Sequence, residues 1–200
     1  MDIKELIELP PWEWPRGVSD TLREALRDKD LDDETRMSAI EMAGNVVAVN
    51  DDLVRELLEI IKRDSESDEV RAKAAIALGP AFEECEIFGF GEFEDPPITE
   101  WVFNDATKRL RKMFGDEDIP QDVRRRILEA SVRAPRAWHA EAIEDAWASD
   151  EVDWRVTAVF CAGYVAGMDD VIVAALDSEQ EEILSEAVKS AAAAEDERVW

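Results

Sequence analysis

The sequence predicts an all-α protein, assembled as an α-solenoid of about five helix pairs. Composition is the first reason. The 200 residues include only eight glycines, eight prolines and one tyrosine, few turn formers and β-forming aromatics for a sheet-rich chain. The second reason is a recurring motif, an acid two residues before an anchor position and small apolar residues after it. The third is a further amphipathic stretch between successive motifs. Each unit is then a helix pair that cannot bury its own apolar face and must stack on its neighbours.

Taken in order, the chain opens with "MDIKELIELPPWEWP". No basic region precedes an apolar run there, so it is not a signal peptide. Trp12 and Trp14 lie among three prolines, too stiff for a helix interior, and are expected to cap the first pair. The first pair is "SDTLREALRDKDLDDETR" running into "DDETRMSAIEMAG", with Arg36 as anchor. The second is "VNDDLVRELLEIIKRDSESDEVR", with Leu53, Leu57, Ile60 and Ile61 on one face, followed by the anchor Arg71 in "DEVRAKAAIALG". Leu22 falls 35 residues before Leu57, so the two pairs share a plan.

Later anchors are Arg124, Arg155 and, out of pattern, Leu184. Two residues before the five anchors stand Glu34, Glu69, Asp122, Asp153 and Glu182, each answering the positive end of a helix dipole. Three after come Ala39, Ala74, Ile127, Ala158 and Ala187; four after come Ile40, Ala75, Leu128, Val159 and Val188. Both sets are expected to face the core. Gly44, Gly79 and Gly163 lie eight residues past their anchors. Anchor spacings are 35, 53, 31 and 29 residues, so the second interval holds an insertion. "SAAAAEDERVW" stops at Trp200 just where a second helix should begin. An incomplete last repeat is expected, from a piece of a longer array or an end covered by a partner or second copy.

The acid-x-Arg motif, the small apolar residues with glycine, and short polar turns such as "SESDEVR" and "LDSEQEEI" resemble the short HEAT-like repeats of the bilin-lyase type. Within that group "LPPWEWP", "RAKAAIALGPA" and "VRRRILEASVRAP" are similar to bacterial HEAT repeat-domain proteins of unassigned function. The resemblance implies a right-handed superhelix of antiparallel helix pairs, usually with a binding surface, and no reaction. HEAT-like iron hydroxylases use repeated His-Glu pairs, and this chain has one histidine. HEAT-like DNA glycosylases use a basic groove.

The insertion contains "EECEIFGFGEFEDPP", residues 83–97, with six acids, no bases, and Phe88, Phe90 and Phe93. A loop is expected over about 83–98, ending where Thr99 caps a helix that runs to Gly115. Three readings stand: an acidic excursion whose phenylalanines tuck onto outer helices; a partner-binding loop with aromatic anchors and steering acids; and a calcium site, which lacks the alternating ligands of an EF-hand. Residues 108–136 reverse the local sign, with nine basic residues against five acids. Arg125, Arg126, Arg133 and Arg136 exceed what the repeat and the helix end require, and are expected to meet acid in the loop or on a partner. The candidate partner-binding residues are therefore Phe88, Phe90, Phe93, Trp101, Arg125, Arg126, Arg133 and Arg136. Trp101, Trp138, Trp147 and Trp154 are otherwise read as packing between pairs.

A formal net charge of −26 repels phosphate backbones, so no nucleic-acid partner is expected. Lysine is scarce beside arginine, a pattern shared by salt-adapted proteins and by ordinary acidic ones. Cys85 and Cys161 are expected as buried thiols of a reducing cytoplasm, and no apolar run suits a membrane. His139 beside Trp138 is read as structural. No nucleophile set, phosphate loop or metal-ligand spacing is present, so neither catalysis nor a metal or cofactor is expected. The function these patterns predict is a scaffold binding an unidentified protein. The alternative is an accessory or lyase-like protein holding a small ligand in the concave groove.

Overall fold

A computed structural model describes residues 2–91 and 95–191. The described residues are helical throughout, with no strand among them. They form two compact units, Met1–Ala134 and Pro135–Trp200.

In the first unit α1 (Ile3–Ile7) leads into a 3₁₀ turn at Pro11–Glu13, whose first residue is the proline that needs no amide donor. Of the two tryptophans expected to cap this end, only Trp14 does so. It packs on the core, and its Nε1 donates to the Leu9 carbonyl at 3.0 Å, whereas Trp12 is 82% exposed. The helices α2 (Val18–Arg27), α3 (Asp33–Ala43), α4 (Asp51–Lys62) and α5 (Asp68–Ile76) follow. Asp32, Asn50 and Ser67 cap α3, α4 and α5 by accepting the backbone amides of Thr35, Leu53 and Val70. Each such cap is worth about 1 kcal/mol. Next come α6 (Gly79–Phe88), α7 (Glu100–Phe114) and α8 (Gln121–Ser131).

Two rows of helices result. In one, α4 packs on both α2 and α7; in the other, α5 packs on both α3 and α8. The rows are joined by the pairs α2–α3, α4–α5 and α7–α8, while α6 lies on α8. Leu22, Leu53, Leu57, Ile61, Phe82, Leu110 and Ile127 are fully buried within this core. The second unit holds α9 (Trp138–Trp147), α10 (Val152–Ala162), α11 (Asp169–Leu176) and α12 (Glu181–Ala191). There α10 packs against α9, α11 and α12, and α11 against α12.

The repeat register is visible in burial. Positions three after the anchor are buried in all five copies, and those four after it in all but the last, where Val188 is 61% exposed. The residue before each anchor is buried too: Thr35, Val70, Val123, Trp154 and Ile183. So are the positions six and seven after it, from Met42 and Ala43 to Ser190 and Ala191. In the last copy Ile183 takes the inward place and Leu184 turns partly outward. This spacing is one apolar stripe of a helix.

Gly44 meets its repeat requirement through space. A Cβ built there would lie 2.0 Å from the carbonyl oxygen of Ala77, so the ends of α3 and α5 approach too closely for any side chain. The expected loop over 83–98 is corrected at its start. Residues 83–88 finish α6, because Phe82 and Cys85 continue its buried face. The chain leaves the helix only at Gly89, whose φ of +73° favours glycine. The expected incompleteness of the last repeat concerns residues 192–200, which lie outside the described residues.

Candidate functional site

The candidate face is organised where α4 and α7 begin side by side. Thr99 caps α7 by accepting the Val102 amide at 3.4 Å, as its position after Pro96 and Pro97 predicts. Its own amide and hydroxyl donate to the two carboxylate oxygens of Asp51, each at 2.8 Å. One carboxylate therefore fixes the start of α7 to the first residue of α4. Two residues further on, Trp101 is 67% exposed. The reading of this residue as packing between helix pairs is thereby corrected: it occupies the solvent side of the first turn, while Val102 and Phe103 turn inward. The guanidinium of Arg55 lies 5.5 Å from the Trp101 ring centroid, a cation–π distance. Arg55 is held in turn by Asp52 at 2.8 Å and Asp51 at 3.7 Å, and Asp52 also accepts Arg23 at 2.6 Å.

Beside this cluster lies a broad, shallow hollow of about 610 Å³, walled by Asp51, Asp52, Arg55, Asp95, Pro96 and Pro97. Three carboxylates against one guanidinium make it acidic, and the two prolines give it a rigid rim.

The phenylalanines divide. Phe90 packs on Phe103, with ring centroids 5.3 Å apart, and Phe103 meets Phe82 edge-on at 5.8 Å. Phe88 stands 51% exposed next to Ile87, itself 66% exposed. Phe93 lies outside the described residues.

The arginines also divide. Arg125, taken as a surplus surface charge, is buried in α8 and bonded to Asp122 at 3.3 Å, which removes it from any docking surface. Its neighbour Arg124, read as the anchor, is the more exposed of the two. Arg126 is exposed and pairs with Glu129 one turn on. Arg133 reaches Glu83, so the basic segment does meet the acidic stretch at one point. Arg136 is exposed and belongs to the second unit, where its Nη1 donates to the Pro135 carbonyl at 2.7 Å.

Sequence reasoning missed Asp51 and Arg55. Their four-residue spacing on a helix was legible, but nothing in the sequence places them beside Trp101, because Asp51 precedes Thr99 by 48 residues.

His139 is 1% exposed, and its Nδ1 accepts the Arg136 amide at 2.8 Å. Burial, with some repulsion from Arg136, pushes its pKa down to about 4. The imidazole is thereby kept neutral as a local acceptor, the structural role expected of it. Cys85 and Cys161 are both buried and form no disulfide with each other, and burial raises the Cys85 thiol to about 11, which makes it a poor nucleophile. No described helix is long and apolar enough to cross a membrane.

Fold and face together define an all-helical protein carrying an exposed tryptophan in an acidic surround. No protein-family model matches the chain, and no curated protein matches it either.

Proposed function

We propose that this chain is a solenoid of HEAT-like helix pairs that acts as a protein-binding scaffold. The two rows of packed helices and the five-fold burial register support the solenoid reading. One observation carries the binding role. Trp101 is two-thirds exposed, yet it sits on a helix start fixed by two hydrogen bonds and is flanked by a guanidinium. A large aromatic held in place in this way loses little conformational freedom on docking, as interface anchors do. Asp51, Asp52 and Asp95 around it, and the net charge of −26, select a partner with a basic rim. Phe88 and Ile87 supply a second exposed apolar pair. The proposal assigns no catalytic step and no nucleic-acid partner. It places the protein in the cytoplasm, where two buried cysteines persist as reduced thiols.

The test is affinity capture from extract of the source organism, comparing the intact chain with Trp101→Ala and with Phe88→Ser. A protein retained by the intact chain and lost from Trp101→Ala supports the scaffold reading. Identical capture by all three overturns the assignment to this face.

A further inference from the structure

A different part of the first unit carries an inference independent of the Trp101 face. In the first unit the anchor of one pair is bonded by an acid from the following turn, and the next anchor lacks that acid. Arg36 is buried and donates to Glu66 at 2.6 Å; Glu66 lies in the turn five residues before the next anchor, Arg71. Counting back five residues from the anchor that follows Arg36, Arg71, Arg124 and Arg155 gives Glu66, Ile119, Asp150 and Glu179. An acid is present each time except after Arg71.

Arg71 is only 4% exposed, and its Nε donates to the Ile61 carbonyl at 2.8 Å. Its two Nη groups make only long ion pairs, at 3.6 Å to Asp64 and 3.7 Å to Asp68, and no hydrogen bond of ordinary length. The Arg71 fork thus has only two long ion pairs to exposed carboxylates and no direct Nη hydrogen bond, so it can take a closer acceptor. Arg71 lines a cleft of about 420 Å³, within the range of small-molecule sites. Lys62 and Lys112 line it, and neither makes an ion pair among the described residues. Arg109 lines it too but is taken by Glu59 at 2.6 Å. Met113 and the very Ile119 that replaces the acid form its apolar side. The lining acids Asp64, Asp116 and Asp118 are all exposed, and one Asp116 oxygen accepts the Asp118 amide.

We propose that this cleft binds a small organic carboxylate, whose oxygens take on Arg71 the place that Glu66 takes on Arg36. A carboxylate matches the planar Nη fork, Lys62 and Lys112 add charge at the mouth, and Met113 with Ile119 receives a short carbon chain.

The test uses succinate as probe on the intact chain, read by the arginine Nε–H resonances in NMR. Saturable shifts of the Arg71 signal in the millimolar range or tighter are expected. The double variant Lys62→Gln/Lys112→Gln, altered only at exposed side chains, should weaken binding about tenfold, the loss of roughly one charge-assisted contact. Ile119→Glu restores the repeat's acid and should abolish binding where circular dichroism shows it folded. A shift that rises linearly without saturation overturns the proposal. So does unchanged affinity in the double variant, or binding of a glutamate-containing peptide without binding of succinate.

Discussion

At the scale of single residues, Gly44 and Gly79 look alike in sequence but differ in what surrounds them. A Cβ at Gly44 meets the Ala77 backbone, whereas one at Gly79 meets Arg133 side-chain atoms at 2.8 Å, which can swing away. Gly44→Ala should therefore cost about 1–3 kcal/mol in denaturant unfolding, and Gly79→Ala distinctly less. Glu66 accepts both Arg36 and Arg63, at 2.6 and 2.9 Å. Glu66→Ala strands a buried guanidinium and should cost about 3–5 kcal/mol. His139 sets a pH dependence. Its folded pKa of about 4 lies below the ordinary 6.5, so the unfolded chain binds the proton more readily between those values. Its contribution is full above pH 6.5 and is lost as pH falls toward 4. Asp32, held down to about 2 by Thr35, adds a loss at still lower pH. His139→Gln should flatten the decline between pH 6.5 and 4 in thermal melts; an unchanged slope would assign that decline elsewhere.

At the scale of elements, the start of α7 depends on Thr99 both as cap and as the clamp to Asp51. Thr99→Ala should cost about 1–2 kcal/mol and speed amide exchange in the first turn of α7, leaving α4 protected by its own Asn50 cap. The helix start after Thr99 was legible as a cap, and those before Arg36 and Arg71 as an acid two residues ahead of the anchor, because both signals are local. The buried stripe was legible for the same reason, being periodic. The true start of the excursion was not. Glutamates 83, 84 and 86 read as loop, yet Phe82 and Cys85 hold α6 together through contacts with distant helices. The exposure of Trp101 was equally hidden, since its neighbours Val102 and Phe103 compete for the inward side and only packing decides which of the three turns out. Arg124 and Arg125 show the same limit: adjacent and identical, they are sorted by a rotation of α8 that local sequence does not encode.

At the scale of the whole molecule, 49 acidic residues face 23 basic ones. Self-repulsion at this imbalance is relieved as the screening length shrinks from about 10 Å at 0.1 M salt to about 3 Å at 1 M. The melting temperature should rise across that range, and a fall would show that ion pairs such as Arg23–Asp52 outweigh the repulsion. The first unit closes its own core by Ala134, so residues 1–134 expressed alone should melt cooperatively.

The lapse at Ile119 bears on how a repetitive chain acquires novelty. Where each turn carries an acid ahead of the next anchor, a new pocket requires no added loop and no invented motif; one copy need only drop its acid, leaving a neighbour's donor to recruit from solution. Vacancies of this kind are found by aligning a protein with itself, and they lie at the residue that breaks the rule.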